Sequence, residues 1–288
     1  MREKTFCYLI LMPTLLMMAV FMLYPMIDTV VISFYKWDGI GTSRDFIGLE
    51  NYNRLFSDPI IWVALKNNFL LYLAGALPQI VLGFLFASLL ESPLMRFRKV
   101  FQTAIFLPVT LPQVGVAMIW GMYIYHPLGL LNQSLEGLGL GYLTHQWLGS
   151  PDFVMPAIIV TAIWMYTGFL MVIFMAGMEG VPLSLYEAAR IDGANAWQRL
   201  LHITIPSLRE VMIIALVLTF MGTFKSFDLI FAMTTGGPGH TSDVVGTYMW
   251  IETFKNTHYG YGAATATLTM AVTLAFGLYL MKKMSGKQ

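Results

Sequence analysis

Six long apolar runs, separated by more polar stretches, set the rhythm of this chain. They lie near residues 8–34, 67–90, 101–125, 153–177, 208–233 and 261–281. At about 1.5 Å of rise per residue, each is long enough to cross about 30 Å of hydrocarbon as a helix. The pattern predicts an all-α, polytopic membrane protein with six transmembrane helices, forming one transmembrane domain over residues 1–288. Several runs contain proline or glycine: Pro13, Pro25, Pro78, Pro108, Pro112, Gly168 and Gly222. Membrane helices tolerate these where neighbours or water satisfy the freed carbonyls. Each is expected to kink its helix, and at Pro108 and Pro112 a helix broken beside a cavity is the alternative.

Composition agrees with the pattern. The chain is 57% apolar and 11% charged, where soluble domains carry about 25% charged residues. Met1-Arg2-Glu3-Lys4 followed by apolar residues imitates a secretory signal, but the run continues to Phe34 and no small-x-small cleavage site follows. It is read as a retained membrane helix. With the N-terminus inside, the inner segments hold eleven Lys and Arg residues against five in the outer ones, with Lys225 inside the fifth run. That bias puts both termini in the cytoplasm. The outer loops, 35–66, 126–152 and 234–260, are rich in Gly, Asn, Trp, Tyr and Asp. Trp37, Trp62, Trp147 and Trp250 sit near span ends, where such rings meet the lipid headgroups.

The absences narrow the chemistry. A net charge of +1 gives no field for nucleic acid. The single Cys7 excludes an intrachain disulfide, and no Cys/His cluster has metal-ligand spacing. No G-x-x-x-x-G-K-[ST] occurs, and the Gly-Lys pair Gly286-Lys287 ends the chain, so ATP phosphates are not bound here by a P-loop. H-E-x-x-H and G-x-S-x-G are missing. "GLGLG" has its third glycine misplaced for a dinucleotide turn. His126, His145, His202, His240 and His258 are scattered and read as solvated loop residues. Nothing supports a catalytic constellation or a metal site.

The connection 178–207 is different. It is polar, and charge counting places it in the cytoplasm. Pro182 suits a first helical turn. The helix it opens ends near Ile191, because Asp192-Gly193 is a turn pair and glycine adopts positive φ. A second helix begins near Ala194, with Trp197, Leu200 and Leu201 on one apolar face, and Pro206 precedes the next span. Two short angled helices with an apolar face and a carboxylate make a plug for a groove on a partner. The same pattern also suits an interfacial helix pair lying on the inner leaflet.

The spacing in this connection resembles the loop signature of binding-protein-dependent ABC importer permeases: E-A-A, three residues, G, nine residues, then I-x-L-P. Here it reads Glu187-Ala188-Ala189, Gly193 and Ile203-Thr204-Ile205-Pro206, with isoleucine in place of leucine. "YPMIDTVVISFYKWD", "FIGLENYNRLFSDPIIWVALKNN" and "FDLIFAMTTGGPG" resemble the sugar-importing branch, within it the type related to the larger permease of maltose transporters. The resemblance covers essentially the whole chain. It implies the type I ABC importer permease fold in a bacterial or archaeal cytoplasmic membrane. It also implies a second, homologous permease as heterodimer partner, two P-loop ATPase subunits that hold ATP and Mg, and an extracytoplasmic solute-binding protein.

By the same resemblance the 185–206 stretch is the coupling helix that docks on the ATPase. Glu187 would pair with a basic group there, Ala188 and Ala189 allow close approach, Gly193 makes the turn, and Asp192 and Trp197 belong to the docking surface. Polar groups within spans mark functional sites; they are Asn68, Gln79, Gln113, Thr219, Thr223, Lys225, Ser226 and Asp228. Family sugar contacts fall near Tyr166, Phe169, Thr223 and Ser226. Lys225 and Asp228, three residues apart, either neutralise each other or meet the substrate, which leaves an anionic sugar derivative or glycerol phosphate open beside a neutral sugar. An ion-coupled secondary transporter is the competing reading, and it would need no ATPase.

Overall fold

A computed structural model of the chain describes residues 2–92 and 95–285; Gly286 and Lys287 lie outside them. In chain order the elements are α1 (residues 2–32), β1 (Tyr35–Lys36), β2 (Asp45–Phe46), α2 (Glu50–Ser57), α3 (Pro59–Leu90), α4 (Arg98–Thr110), α5 (Gln113–Ile124) and α6 (Leu130–Gly137). They continue with α7 (Pro151–Glu179), α8 (Leu183–Ile191), α9 (Ala196–Ser207), α10 (Arg209–Phe224), α11 (Asp228–Thr234), α12 (Val245–Trp250) and α13 (Tyr259–Ser285). Four helices are long and apolar enough to cross a membrane, and the number rises to six if the bent pairs α4–α5 and α9–α10 are each one span.

Two of the expected spans are broken. The third, expected over 101–125, is α4 and α5, bent by 96°. Pro112 disfavours helical backbone at the residue before it, and Leu111 is extended at φ −78° and ψ 142°. The fifth, expected as one run over 208–233, is α10 and α11, interrupted at residues 225–227. Lys225 and Ser226 stand where a continuous helix would need apolar residues, and Phe227 leaves helical geometry at φ −139°, ψ −60°. The second span starts earlier than residue 67, at Pro59. The outer connections, read as loops, contain β1, β2, α2 and α6.

The described chain gathers into two compact units, residues up to 61 with 248–272, and residues 62–247 with 273 onward. In the first, β1 and β2 pair antiparallel, Tyr35 opposite Phe46 and Lys36 opposite Asp45. Asn51 donates to the carbonyls of Ser33 and Tyr35, both at 2.9 Å. A polar cluster joins distant parts of the sequence. Arg54 pairs with Glu252 at 2.9 Å and lies over the Tyr261 ring at 4.2 Å. His258 also meets Glu252, at 2.8 Å. Asp58 accepts hydrogen bonds from Tyr261 at 2.7 Å and from the Tyr248 hydroxyl. The apolar window of α1, Ile10–Ile32, has no buried residue, as suits a helix facing lipid or another membrane chain.

The second unit is built around α7. Its Leu170, Met171, Phe174 and Met175 pack with Phe84, Ala87 and Leu90 of α3 and with Leu208 and Ala215. Its Val154, Met155, Ile158 and Ile159 pack with Leu71, Ile230 and Val244. Ala162 and Met165 pack with Val116 and Ala117 of α5 and with Leu229. Two glycines allow the closest approaches: a Cβ on Gly83 would lie 2.8 Å from Leu170 Cβ, and one on Gly168 would strike the Ile105 carbonyl. Small residues at such crossings let membrane helices approach closely.

In the first unit, burial pushes the Asp58 carboxyl up. The hydrogen bonds from Tyr248, Tyr261 and the Ile60 amide and the Arg54 charge outweigh this, so its pKa lies below the ordinary 3.8. A carboxyl with a depressed folded pKa contributes stability above its unfolded value and loses it as pH falls through the folded one. Amide protection over residues 54–60 and 248–262, corrected for intrinsic exchange, is therefore expected to hold down to the ordinary value of 3.8 and to decay only below it. A midpoint above that value would contradict the assignment. Asp58→Asn is expected to remove the transition.

Candidate functional site

Two features of the second unit draw together the polar residues of the sequence. The first is a cavity of about 400 Å³ beside α7. Both helix breaks open on it. Gln113, the first residue of α5, Ser226, in the second break, and Asp228, the first residue of α11, line it together with Gln79, Tyr166, Phe169, Thr219, Thr223 and Lys225. All six substrate-path residues named from the sequence (Tyr166, Phe169, Thr223, Lys225, Ser226 and Asp228) thus share one cavity. Asn68 does not: it is fully buried and bound to backbone groups of Thr223 and Val245.

The charges in the cavity stand at helix ends. Lys225 follows the last residue of α10, and Asp228 opens α11. A helix carries about half a negative charge at its C-terminus and half a positive charge at its N-terminus. Each side chain therefore has the sign its own helix end favours. Among the described residues no ion pair joins Lys225 to Asp228, because the break at 225–227 removes the helical geometry that would bring i and i+3 together. Phe169 is exposed within the cavity lining and Tyr166 half-buried, so an aromatic ring and a phenol border the space. Gln79 is only 6% exposed, and its amide has no hydrogen-bond partner among the described residues. Its polar end borders the cavity.

The second feature is the connection between α7 and α10. Glu187, Ala188 and Ala189 lie on α8, which ends at Ile191. Asp192 follows, and Gly193 takes φ +78°, the left-handed backbone the turn requires. The next helix begins at Ala196 rather than Ala194, because Asn195 caps it. The Asn195 side chain accepts the Gln198 amide at 2.8 Å, and the Gln198 side chain accepts the Asn195 amide at 2.8 Å. This reciprocal capping box was missed in the sequence, where N-x-x-Q is a weaker signal than its Ser or Thr form. Tyr186 and Thr204 hydroxyls meet at 3.0 Å and tie α8 to α9. Leu200, Ile205 and Leu208 join the α7 core, while Ile191 and Trp197 remain 87% and 64% exposed. Glu187 is exposed and has no partner among the described residues. A small groove at the turn is lined by Ala189, Asp192, Gly193, Gln198 and Arg199.

Residues 79–287 match the family described as "Binding-protein-dependent transport system inner membrane component". The chain belongs to that family. This permease is 36% identical over 283 residues to the "Probable ABC transporter permease protein YurN" of Bacillus subtilis, covering 98% of this chain and 96% of that one. It is 31% identical over 281 residues to the "Trehalose/maltose transport system permease protein MalF" of Thermococcus litoralis, covering 98% and 94%. Its fold superposes with a TM-score of 0.86 and 25% identity on a chain of a bacterial ABC transporter involved in the import of the acidic polysaccharide alginate, covering 99% and 98%. As a member of this family, the permease is an inner membrane component of an ABC transporter.

The histidines of this permease are less idle than their scatter suggests. His240 lies 2.6 Å from the fully buried Asp243, and His145 stacks on Phe153 at 4.0 Å. Burial pushes the Asp243 carboxyl up, against the hydrogen bonds from His240 and Thr247 and the His240 charge.

Replacing an N-cap side chain costs about 0.5–2 kcal/mol. Asn195→Ala is therefore expected to speed amide exchange across residues 196–199 while leaving 183–191 unchanged. Equal rates in variant and parent would show that packing alone holds α9.

Proposed function

We propose that this chain is the permease subunit of an ATP-driven importer that carries a sugar or oligosaccharide, handed over by an extracytoplasmic solute-binding protein, across a bacterial or archaeal cytoplasmic membrane. The observation that carries the reading is the cavity at the two helix breaks. Its lining offers amides, hydroxyls, an aromatic face and one charge of each sign, the set a polyhydroxylated ring can use. The trehalose/maltose permease among its relatives supports the sugar class. Lys225 and Asp228 balance each other in sign, and each is offset by its own helix end, which favours a neutral sugar over the acidic cargo of the alginate transporter.

The permease itself carries out no hydrolysis. ATP and Mg are held by two P-loop ATPase subunits, and a second, homologous permease completes the pathway, with both termini cytoplasmic. The α8–α9 connection docks on an ATPase: Ile191 and Trp197 fill its cleft, Glu187 meets a basic group, and Ala188 and Ala189 leave room. Since Leu208 is packed into the α7 core, rotation of the docked helices reaches α7 and α10 directly, and closure of the ATPases is converted into opening of the cavity to the other side.

Reversing one partner of a desolvated ion pair costs about 3–5 kcal/mol. Glu187→Lys is expected to insert at parental yield while losing ATPase co-purification and sugar uptake together. Normal uptake in reconstituted vesicles would refute the docking role. Asp228→Asn leaves the cavity with an uncompensated lysine. Calorimetric binding to the purified permease is expected to shift by about tenfold, 1.4 kcal/mol, from a neutral disaccharide toward a uronate, and an unchanged ratio would remove Asp228 from the site.

A further inference from the structure

Two adjacent asparagines of α3 stand apart from the cavity lining. Asn68 is fully buried and Asn67 nearly so. The Asn67 side chain donates to the carbonyls of Thr241 and Asp243, both at 2.8 Å. Asn68 Nδ2 donates to the Thr223 carbonyl at 2.7 Å, and its Oδ1 accepts the Val245 amide at 2.9 Å. Thr223 lies in the last turn of α10 and Val245 is the first residue of α12. Carbonyls at one helix end and amides at the other lack partners within their own helices. One planar amide thus caps both. Thr223 borders the cavity, while Val245 ends a loop that is folded on itself. Within that loop the Thr234 and Ser242 hydroxyls meet at 2.8 Å, and Thr247 donates to Asp243 at 2.8 Å.

We propose that Asn68, backed by Asn67, is a positioning residue that yokes the 235–245 loop to the cavity-bordering end of α10. Whatever displaces the loop then displaces Thr223, Lys225 and Ser226 with it. Two hydrogen bonds on a rigid amide hold the loop's last residue and the helix end at one separation, and Asn67 grips the loop at two further carbonyls. The loop therefore moves as a body with α10. In naming a solute-binding protein as what displaces the loop, the inference rests on the importer reading above. The yoke itself does not.

Asn68→Leu, similar in size and without polar atoms, releases both ends. Asn67→Leu releases only the loop. By hydrogen exchange on the purified permease, with no partner present, Asn68→Leu is expected to speed exchange in both 220–227 and 240–247, and Asn67→Leu in 240–247 alone. Asn68→Asp, which keeps the acceptor for Val245 and sets an oxygen against the Thr223 carbonyl, is expected to loosen 220–227 only and serves if the leucine variant does not fold. Protection of 220–227 unchanged in both Asn68 variants overturns the yoke. In the complete importer, Asn68→Asp is expected to keep the basal ATPase rate and to lose about tenfold of the stimulation by loaded binding protein. If basal and stimulated rates fall in step with the melting temperature, Asn68 is a structural clamp and the transmission is refuted. Should the parental importer show no stimulation by any binding protein, the importer reading fails, and the exchange data still decide the yoke.

Discussion

At membrane depth every backbone carbonyl and amide must find a partner, since lipid supplies none. This constraint explains why the helix breaks at residues 111–112 and 225–227 fall beside the same cavity. A break facing lipid would strand several polar groups. A break facing a polar space can be satisfied by water, ligand or side chains. The sequence supplies the side chains: Gln113 at the start of one half-helix, Asp228 at the start of the other, Lys225 past the end of α10, and Asn68 across from Thr223. The cavity and the breaks are one structural solution, in which each permits the other.

Around that solution α7 acts as the axis. Gly83 and Gly168 let α3 and α4 approach its backbone, and its other faces hold α5, α10 and α11. Leu208, at the 65° bend between α9 and α10, is buried in the same cluster as Phe174. The bend is therefore a packed corner. A force applied to α9 reaches the membrane helices through side chains already in contact.

The long apolar runs were legible because hydrophobicity over some twenty residues is a local property. The turn at Gly193 was legible for the same reason, since one glycine after an aspartate suffices to mark it. The break at Pro112 was legible as the alternative to a kink, through sterics on its neighbour, whereas Pro108 lies inside α4. The break at 225–227 was not read as one, although Lys225, Ser226 and Asp228 were singled out as polar. The carbonyl of Thr223 at that break accepts the local Ser226 amide and also the side chain of Asn68, 155 residues away. The cluster of Arg54, Asp58, Glu252, His258 and Tyr261 was equally hidden, because its members are meaningful only once the ends of the chain meet. Long-range polar satisfaction leaves no periodic trace in a sequence.

The broken fifth span also bears on how the chain enters the membrane in the first place. A lysine or aspartate at the centre of a segment adds about 2.5–3.5 kcal/mol to its insertion by the translocon, and the junction of α10 and α11 presents one of each, Lys225 and Asp228. That segment is a poor insertion signal by itself. The helices that border the cavity beside its polar residues include α3, α4, α5 and α7, all synthesised earlier. Within the folded chain those residues face protein, which the fifth segment would lack if it entered by itself.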